Sequence, residues 1–315
     1  MNLKTSTWES IDLHEIAKIT FDARQTHAQD GSLTVDRIEE RFHNFLSVNP
    51  ARIISANVGA DLIGLLILLI KTPSGLEVNP GQLLGGYPVV VPGHDIEKVA
   101  DHLIEAAIAL AKKEGYTKIE STVAMEGVET AYPACYEAHG FHIRIRYVEM
   151  ICDLTEQAII EPSLPEGFET KPLSQASKDD LYRCYTNAFS AGDAQFFFDQ
   201  GEQERREYFD SLGYKEAINE PYSVALMKDQ QLIGFSFVLP YGKANCHISC
   251  MCIEPEFRRR GLGEFLLHNG MNLASQQGYK TITLGTDTHM AAYELYKKNG
   301  FTIIDGSVLW LWEAS

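Results

Sequence analysis

The sequence predicts an α+β protein built from two tandem copies of one α/β/α unit, and three observations lead there. First, the chain echoes itself. Leu62-Ile63-Gly64-Leu65 returns as Leu232-Ile233-Gly234-Phe235, and Tyr136-x-x-x-Gly140-Phe141 returns as Tyr296-x-x-x-Gly300-Phe301. Pro92 precedes an amphipathic stretch ending in Gly115-Tyr116, as Pro255 precedes one ending in Gly278-Tyr279. Echoes in one order at slowly drifting offsets are the mark of a repeat with small loop insertions. Second, both halves give the same coarse order of strand, two helices, hairpin or meander, strand, long helix, strand, short helix and last strand. Third, 315 residues suffice for two ordinary domains with their own cores.

The elements follow in turn. Residues 11–25 and 35–46 place apolar side chains at helical spacing, whereas 52–58 and 62–70 read as strands rich in branched apolar residues. Residues 84–91 read as another strand and 97–114 as the long helix. In the second half the matching long segments are 244–253 and 264–277. Between the halves, 155–167 carries Pro162, Pro165 and Gly167 without sustained periodicity, which predicts a linker between domains at 1–154 and 168–315.

Composition narrows the function. Forty-five per cent apolar residues fit a globular chain, and the net charge of −16 argues against a nucleic-acid partner while suiting a cationic one. The apolar run 62–70 is far too short to span a membrane. Met1-Asn2-Leu3-Lys4-Thr5-Ser6 lacks the apolar core of a secretion signal. The six cysteines have no paired metal spacing, so a reduced, cytoplasmic setting is expected. On a regular strand Cys246, Cys250 and Cys252 would share one face and His247, Ser249, Met251 and Ile253 the other, an awkward arrangement for zinc, and no metal is expected.

The most informative segment is Arg258-Arg259-Arg260-Gly261-Leu262-Gly263, between an apolar strand and a helix. Glycines let backbone approach a ligand closely, and the first N–H groups of a helix point outward unpaired, which together make a phosphate site. The dinucleotide pattern Gly-x-Gly-x-x-Gly fails at Leu266, and the mononucleotide ending Gly-Lys-Ser/Thr is absent. The pattern Gln/Arg-x-x-Gly-x-Gly/Ala is met by Arg258, Gly261 and Gly263. With the lead-in Ile253-x-Pro255-x-Phe257-Arg258, the motif Ala292-x-x-Leu295-Tyr296-x-x-x-Gly300-Phe301 and Gly278-Tyr279 between them, residues 253–301 resemble the core of the GCN5-related N-acetyltransferases (GNAT).

That resemblance implies two GNAT-like domains, each a mixed, mostly antiparallel twisted sheet flanked by helices. It implies acetyl-CoA as acyl donor, a primary amine of a small molecule as acceptor, and direct transfer without a covalent enzyme intermediate. Pyrophosphate would lie on the main-chain N–H groups around Arg259, Arg260, Gly261, Leu262, Gly263 and Glu264, with Arg258 as the motif side chain. The pantetheine arm would pair with backbone of Met251, Cys252 and Ile253. Where the family often has asparagine, seven residues before the helical tyrosine, this chain has His289, which can still donate a hydrogen bond. Tyr296 would protonate the departing thiolate, its other reading being a core aromatic. His247 stands where some members carry the base, and a half-buried histidine bonded to a neighbour is equally open. Phe196-Phe197-Phe198 could line an acceptor pocket or simply pack.

The first copy departs from this pattern. Asp95-Ile96-Glu97-Lys98-Val99-Ala100 falls where Arg258–Gly263 would be, so both glycines are gone and the carboxylates of Asp95 and Glu97 would repel a phosphate. The first domain is therefore expected to be degenerate and the second to be the working one. A non-catalytic acyl-CoA sensor or scaffold, or transfer of a longer acyl group, stays open, as does the oligomeric state.

Overall fold

The computed structural model describes residues 1–7, 10–24, 34–46, 51–69, 82–85, 87–124, 132–155, 163–191 and 201–314. Phe196-Phe197-Phe198 and the middle of the expected linker lie outside these residues. In chain order the elements begin with β1 (Asn2–Thr7), α1 (Leu13–Arg24), α2 (Val35–Leu46), β2 (Ala51–Val58) and β3 (Asp61–Leu69). They continue with β4 (Gln82–Gly85), β5 (Val89–Val90), α3 (Ile96–Glu114), β6 (Lys118–Ala124), α4 (Tyr132–Ala138) and β7 (His142–Asp153). Next come β8 (Glu169–Pro172), α5 (Lys178–Ser190), α6 (Glu202–Ser211), α7 (Tyr214–Ala217), β9 (Val224–Lys228) and β10 (Gln231–Pro240). The chain closes with β11 (Asn245–Ile253), α8 (Leu262–Gln276), β12 (Thr281–Asp287), α9 (Ala291–Lys298) and β13 (Thr302–Glu313). The predicted single strand at 84–91 is two short ones, β4 and β5.

The chain forms two compact units, one of Met1–Arg146 with Gly306–Ser315 and one of Tyr147–Asp305. Strands of the first unit run in the order β1-β2-β3-β4-β6-β13, and only β4 and β6 are parallel. Strands of the second run β7-β12-β11-β10-β9-β8, and only β11 and β12 are parallel. Each is thus a mixed, mostly antiparallel sheet with helices packed on it. In the first unit α3 presents Val99, Ala100, Leu103, Ile104, Ala107 and Ala111 to the sheet, a stripe at helical period. In the second, α5 packs on Phe235, Phe237, Cys250 and Cys252, while Leu262, Phe265 and Leu266 of α8 pack with Ile233 and Ile253.

The repeat is geometric as well as sequential. Gly64 pairs with Val90, two residues before Pro92, and Gly234 pairs with Ile253, two residues before Pro255. In both places a side chain would collide. A Cβ on Gly64 would come within 2.7 Å of Val99, and one on Gly234 within 2.6 Å of Ile253 and 2.8 Å of the Cys252 carbonyl. The echoed Leu-Ile-Gly therefore makes room for a close neighbour at the same point of each unit, the α3 side chain Val99 in the first and β11 in the second.

The units do not divide where the linker suggested. β7 passes from the first unit into the second at Arg146/Tyr147, and β13 passes back at Asp305/Gly306. Tyr147–Asp153 completes the second sheet by pairing with β12, and Ser307–Glu313 completes the first by pairing with β6. Trp310 and Trp312 thereby join the core around α3, and Trp310 stacks on Tyr136 with ring centroids 5.4 Å apart. A break at 154 and 168 would cut each unit from its closing strand. Composition cannot reveal this, because the exchange is a property of pairing and not of any local stretch.

Candidate active site

The parallel strands β11 and β12 stay together only where Asn245–Ile248 meets Thr281–Leu284. Beyond that, β11 keeps β10 on its other edge as far as Ile253, and β12 keeps β7 as far as Asp287. A gap therefore opens along Ser249–Ile253, with one backbone edge of β11 facing it. A cleft of about 690 Å³ is lined by Met251, Cys252 and Ile253 of β11, by Ala188 and Phe189 of α5, and by Ala292, Leu295 and Tyr296 of α9. An open strand edge can pair with an extended amide-bearing ligand.

The cleft reaches the N-terminus of α8, where Arg258, Arg259, Gly261, Leu262, Gly263 and Glu264 line it. Gly261 is the N-cap, with φ +79°, and it brings no side chain to bond the first N–H groups. Arg259 also has a left-handed backbone, φ +61°. Left-handed positions on either side of Arg260 curl the chain in the manner of anion-holding turns. The strain at Arg259, about 1 kcal/mol, persists because the surrounding bonds fix the loop. Glu254 is buried and accepts from Arg183 at 2.5 Å and from Asn187 at 3.3 Å, pinning the loop's lead-in to α5.

The three arginines have different work. Arg258 donates to the backbone carbonyls of Ile253, at 3.1 Å, and Ala188, so it ties the loop to β11 and α5. Arg260 is outside the cleft lining and donates to the Glu256 carbonyl at 3.2 Å. Arg259 is exposed at the rim.

Tyr296 projects from α9 into the cleft with its ring buried, and burial raises its phenol well above the usual value, so it keeps its proton. His289 is not in the cleft wall. Its ring and its backbone N–H both bond the Asp287 carboxylate, at 3.1 and 3.0 Å, because the turn after β12 is closed by that aspartate. His247 is half-buried below the point where the strands part, its Nδ1 2.9 Å from Thr283 Oγ1. Burial lowers its pKa, which keeps the imidazole neutral.

One expectation about β11 is corrected. Phe237 pairs with Cys250 but Val238 pairs with Ile248, so Ser249 is an extra residue and β11 bulges. Adjacent residues of β10 face opposite ways, so Ile248 and Cys250 do too. Below the bulge His247 shares the face of Leu239, Phe237 and Cys250, and Cys246 lies on the other side. Regular alternation had placed the three cysteines together and His247 apart. Among the described residues no group of three or more His, Cys, Asp or Glu is arranged for a metal. Burial pushes the Cys246 thiol up to about 12 and raises Cys252 as well, which leaves neither a ready nucleophile.

The same position in the first unit is built differently. Asp95 caps α3, its carboxylate accepting the Lys98 N–H at 3.1 Å, so an acid sits on the helix end that α8 leaves open. Tyr136, the counterpart of Tyr296, bonds Ser121 at 2.5 Å and is wholly buried under Trp310.

Residues 179–301, which lie within the second unit, match the model of the acetyltransferase (GNAT) family. The chain is 24% identical over 219 residues to a mycothiol acetyltransferase of Clavibacter sepedonicus, a match covering 68% of this chain and 67% of the relative. It superposes with a TM-score of 0.62 on a GCN5-related N-acetyltransferase from Sphaerobacter thermophilus, at 15% identity, over 99% of this chain and 95% of that one. A tandem GNAT protein of the clavulanic acid biosynthesis pathway superposes with a TM-score of 0.55, at 15% identity, over 100% and 99% of the two chains. No helix among the described residues is long and apolar enough to cross a membrane.

Proposed function

We propose that the second unit transfers acetyl from acetyl-CoA to a primary amine of a small molecule, in the cytoplasm, and that the first unit has no turnover of its own. The observation that carries this reading is the cleft that runs from the open N-terminus of α8 along the free edge of β11 to Tyr296. It offers unpaired N–H groups for a pyrophosphate, a strand edge for the two amides of a pantetheine arm, and a protonated phenol at the far end. Asp95 on α3 and the closed Tyr136–Ser121 pair support the view that the first unit lacks such a site.

Acetyl-CoA supplies an activated thioester. The chain holds it, and His247, neutral through burial, takes a proton from the incoming ammonium directly or through one water. The amine nitrogen bonds the carbonyl carbon, the carbon–sulfur bond breaks, Tyr296 gives its proton to the sulfur, and the second proton that the nitrogen sheds on becoming an amide returns to the Tyr296 oxygen, while His247 passes its own to solvent. The deciding experiment is calorimetric titration with acetyl-CoA, followed by thiol release across an amine panel. One site per chain is expected, with Tyr296→Phe keeping that affinity and losing about tenfold or more in kcat. Two sites would overturn the assignment of the first unit. Binding without thiol release from any amine would favour the sensor reading.

A further inference from the structure

The strip formed by β7, β12 and β11 in the second unit has two unlike faces. Val148, Met150 and Cys152 of β7 and Ile282, Leu284 and Thr286 of β12 are buried on one. The other carries Tyr147 and Glu149, both exposed, beside Thr283, Gly285 and His247. Gly285 is the first residue of β12 beyond its pairing with β11, so it marks the mouth of the gap. A Cβ there would overlap the Tyr147 ring and hydroxyl. Tyr147 therefore fills the place of a side chain at 285, and Glu149 is the direct strand partner of Gly285.

Exposed aromatic surface lies beside both Tyr147 and His247. Tyr147 and Tyr208 are each 39% exposed and Tyr241 is 66% exposed, and these are the exposed tyrosines among the described residues. The Tyr241 ring lies 6.0 Å from the His247 ring, and Tyr147 feels both Tyr208 and Glu149 electrostatically. Phenol faces attract cations, and a carboxylate beside them adds a charged partner. The chemistry is that of a cradle for an alkylammonium. None of these residues was singled out by motif, and Tyr147 and Glu149 precede the matched segment 179–301.

We infer that Tyr147 and Glu149, rimmed by Tyr208 and Tyr241, form the acceptor subsite, and that it takes an aliphatic diamine or polyamine. One ammonium rests on Glu149 and the rings while the other amine, freed of its proton, reaches the gap beside His247. This rests on the acetyl-transfer reading above. The test is titration of spermidine, at fixed ionic strength, into the protein saturated with CoA. Expected is saturable binding that Glu149→Gln weakens about fivefold, the size of an exposed ion pair, and that Tyr147→Ala weakens by a similar factor. Both variants should hold acetyl-CoA as tightly as the parent chain. No spermidine binding, or equal binding by Glu149→Gln, would overturn the subsite while leaving acetyl transfer to other amines, scored by thiol release with glucosamine, intact. Failure of the parent chain to bind acetyl-CoA would overturn both readings together.

Discussion

Gly261 and Gly263 stand two residues apart and are needed for different reasons. At Gly261 the constraint is conformational, since φ is +79° and a Cβ would meet nothing within 4 Å. Alanine there should cost about 1 kcal/mol of stability from backbone strain alone. At Gly263 a Cβ would touch only Leu295, at an ordinary 3.7 Å. Gly263→Ala should therefore melt at or slightly above the parent temperature, yet bind acetyl-CoA about tenfold more weakly, because a methyl group would stand between the helix N–H groups and the phosphates. Unchanged affinity by calorimetry would mean that the phosphates lie elsewhere. His247 gives a second prediction at this scale. Its folded pKa lies below the ordinary 6.5, so as the proposed base it stays unprotonated at neutral pH and kcat/KM should decline only as pH falls below that value. The unfolded chain takes up the proton first, so the same window should cost stability on acidification. His247→Gln keeps a partner for Thr283 but cannot accept the proton, and its rate should be lower by about a hundredfold with no acid limb.

Two helices that begin at the same place in the repeat show how much an element's first residue decides. α3 starts on Asp95, whose carboxylate satisfies the Lys98 N–H, and α8 starts on Gly261, which satisfies none. Asp95→Ala should destabilise the first unit by about 1 kcal/mol in denaturant unfolding, the usual worth of such a cap, and should leave acetyl-CoA stoichiometry at one. A second site appearing in that variant would mean that Asp95 alone had closed the first unit. Most of this was legible in the sequence. The helix stripes, the glycine turn and the Asp95 contrast depend on neighbours within a few residues, and the cleft wall does contain Met251 through Ile253, Arg258 and Tyr296. The bulge at Ser249 was not legible, because it exists only in the register with β10. The bond from His289 to Asp287 leaves no trace in the family pattern for a similar reason, since it is set by the turn after β12. The glycine loop's tether to α5 through Arg183, Glu254 and Arg258 joins segments about 70 residues apart and leaves no local trace.

For the molecule as a whole, the consequence lies in β7 and β13, each shared between the units. The second unit needs Tyr147–Asp153, because Val148, Met150 and Cys152 are buried there and seven residues pair with β12. Burying one such side chain contributes about 1.5–3 kcal/mol, so losing three removes a large part of a margin of about 5–15 kcal/mol. It also bares β12 as an unprotected edge. A chain comprising residues 168–315, the division that the linker suggests, should therefore aggregate or lack a cooperative melt. It would also carry Trp310 and Trp312, which belong to the first unit's core, onto its surface. A chain of residues 147–305 keeps the closing strand and sheds those tryptophans, and it should melt cooperatively and bind one acetyl-CoA. Circular dichroism melts and calorimetry on the two chains decide the matter. If 168–315 folds and binds as well as 147–305, the exchanged strands are ornaments of the sheets. If only 147–305 does, they are what makes each unit complete, and the cleft depends on a strand that precedes the linker.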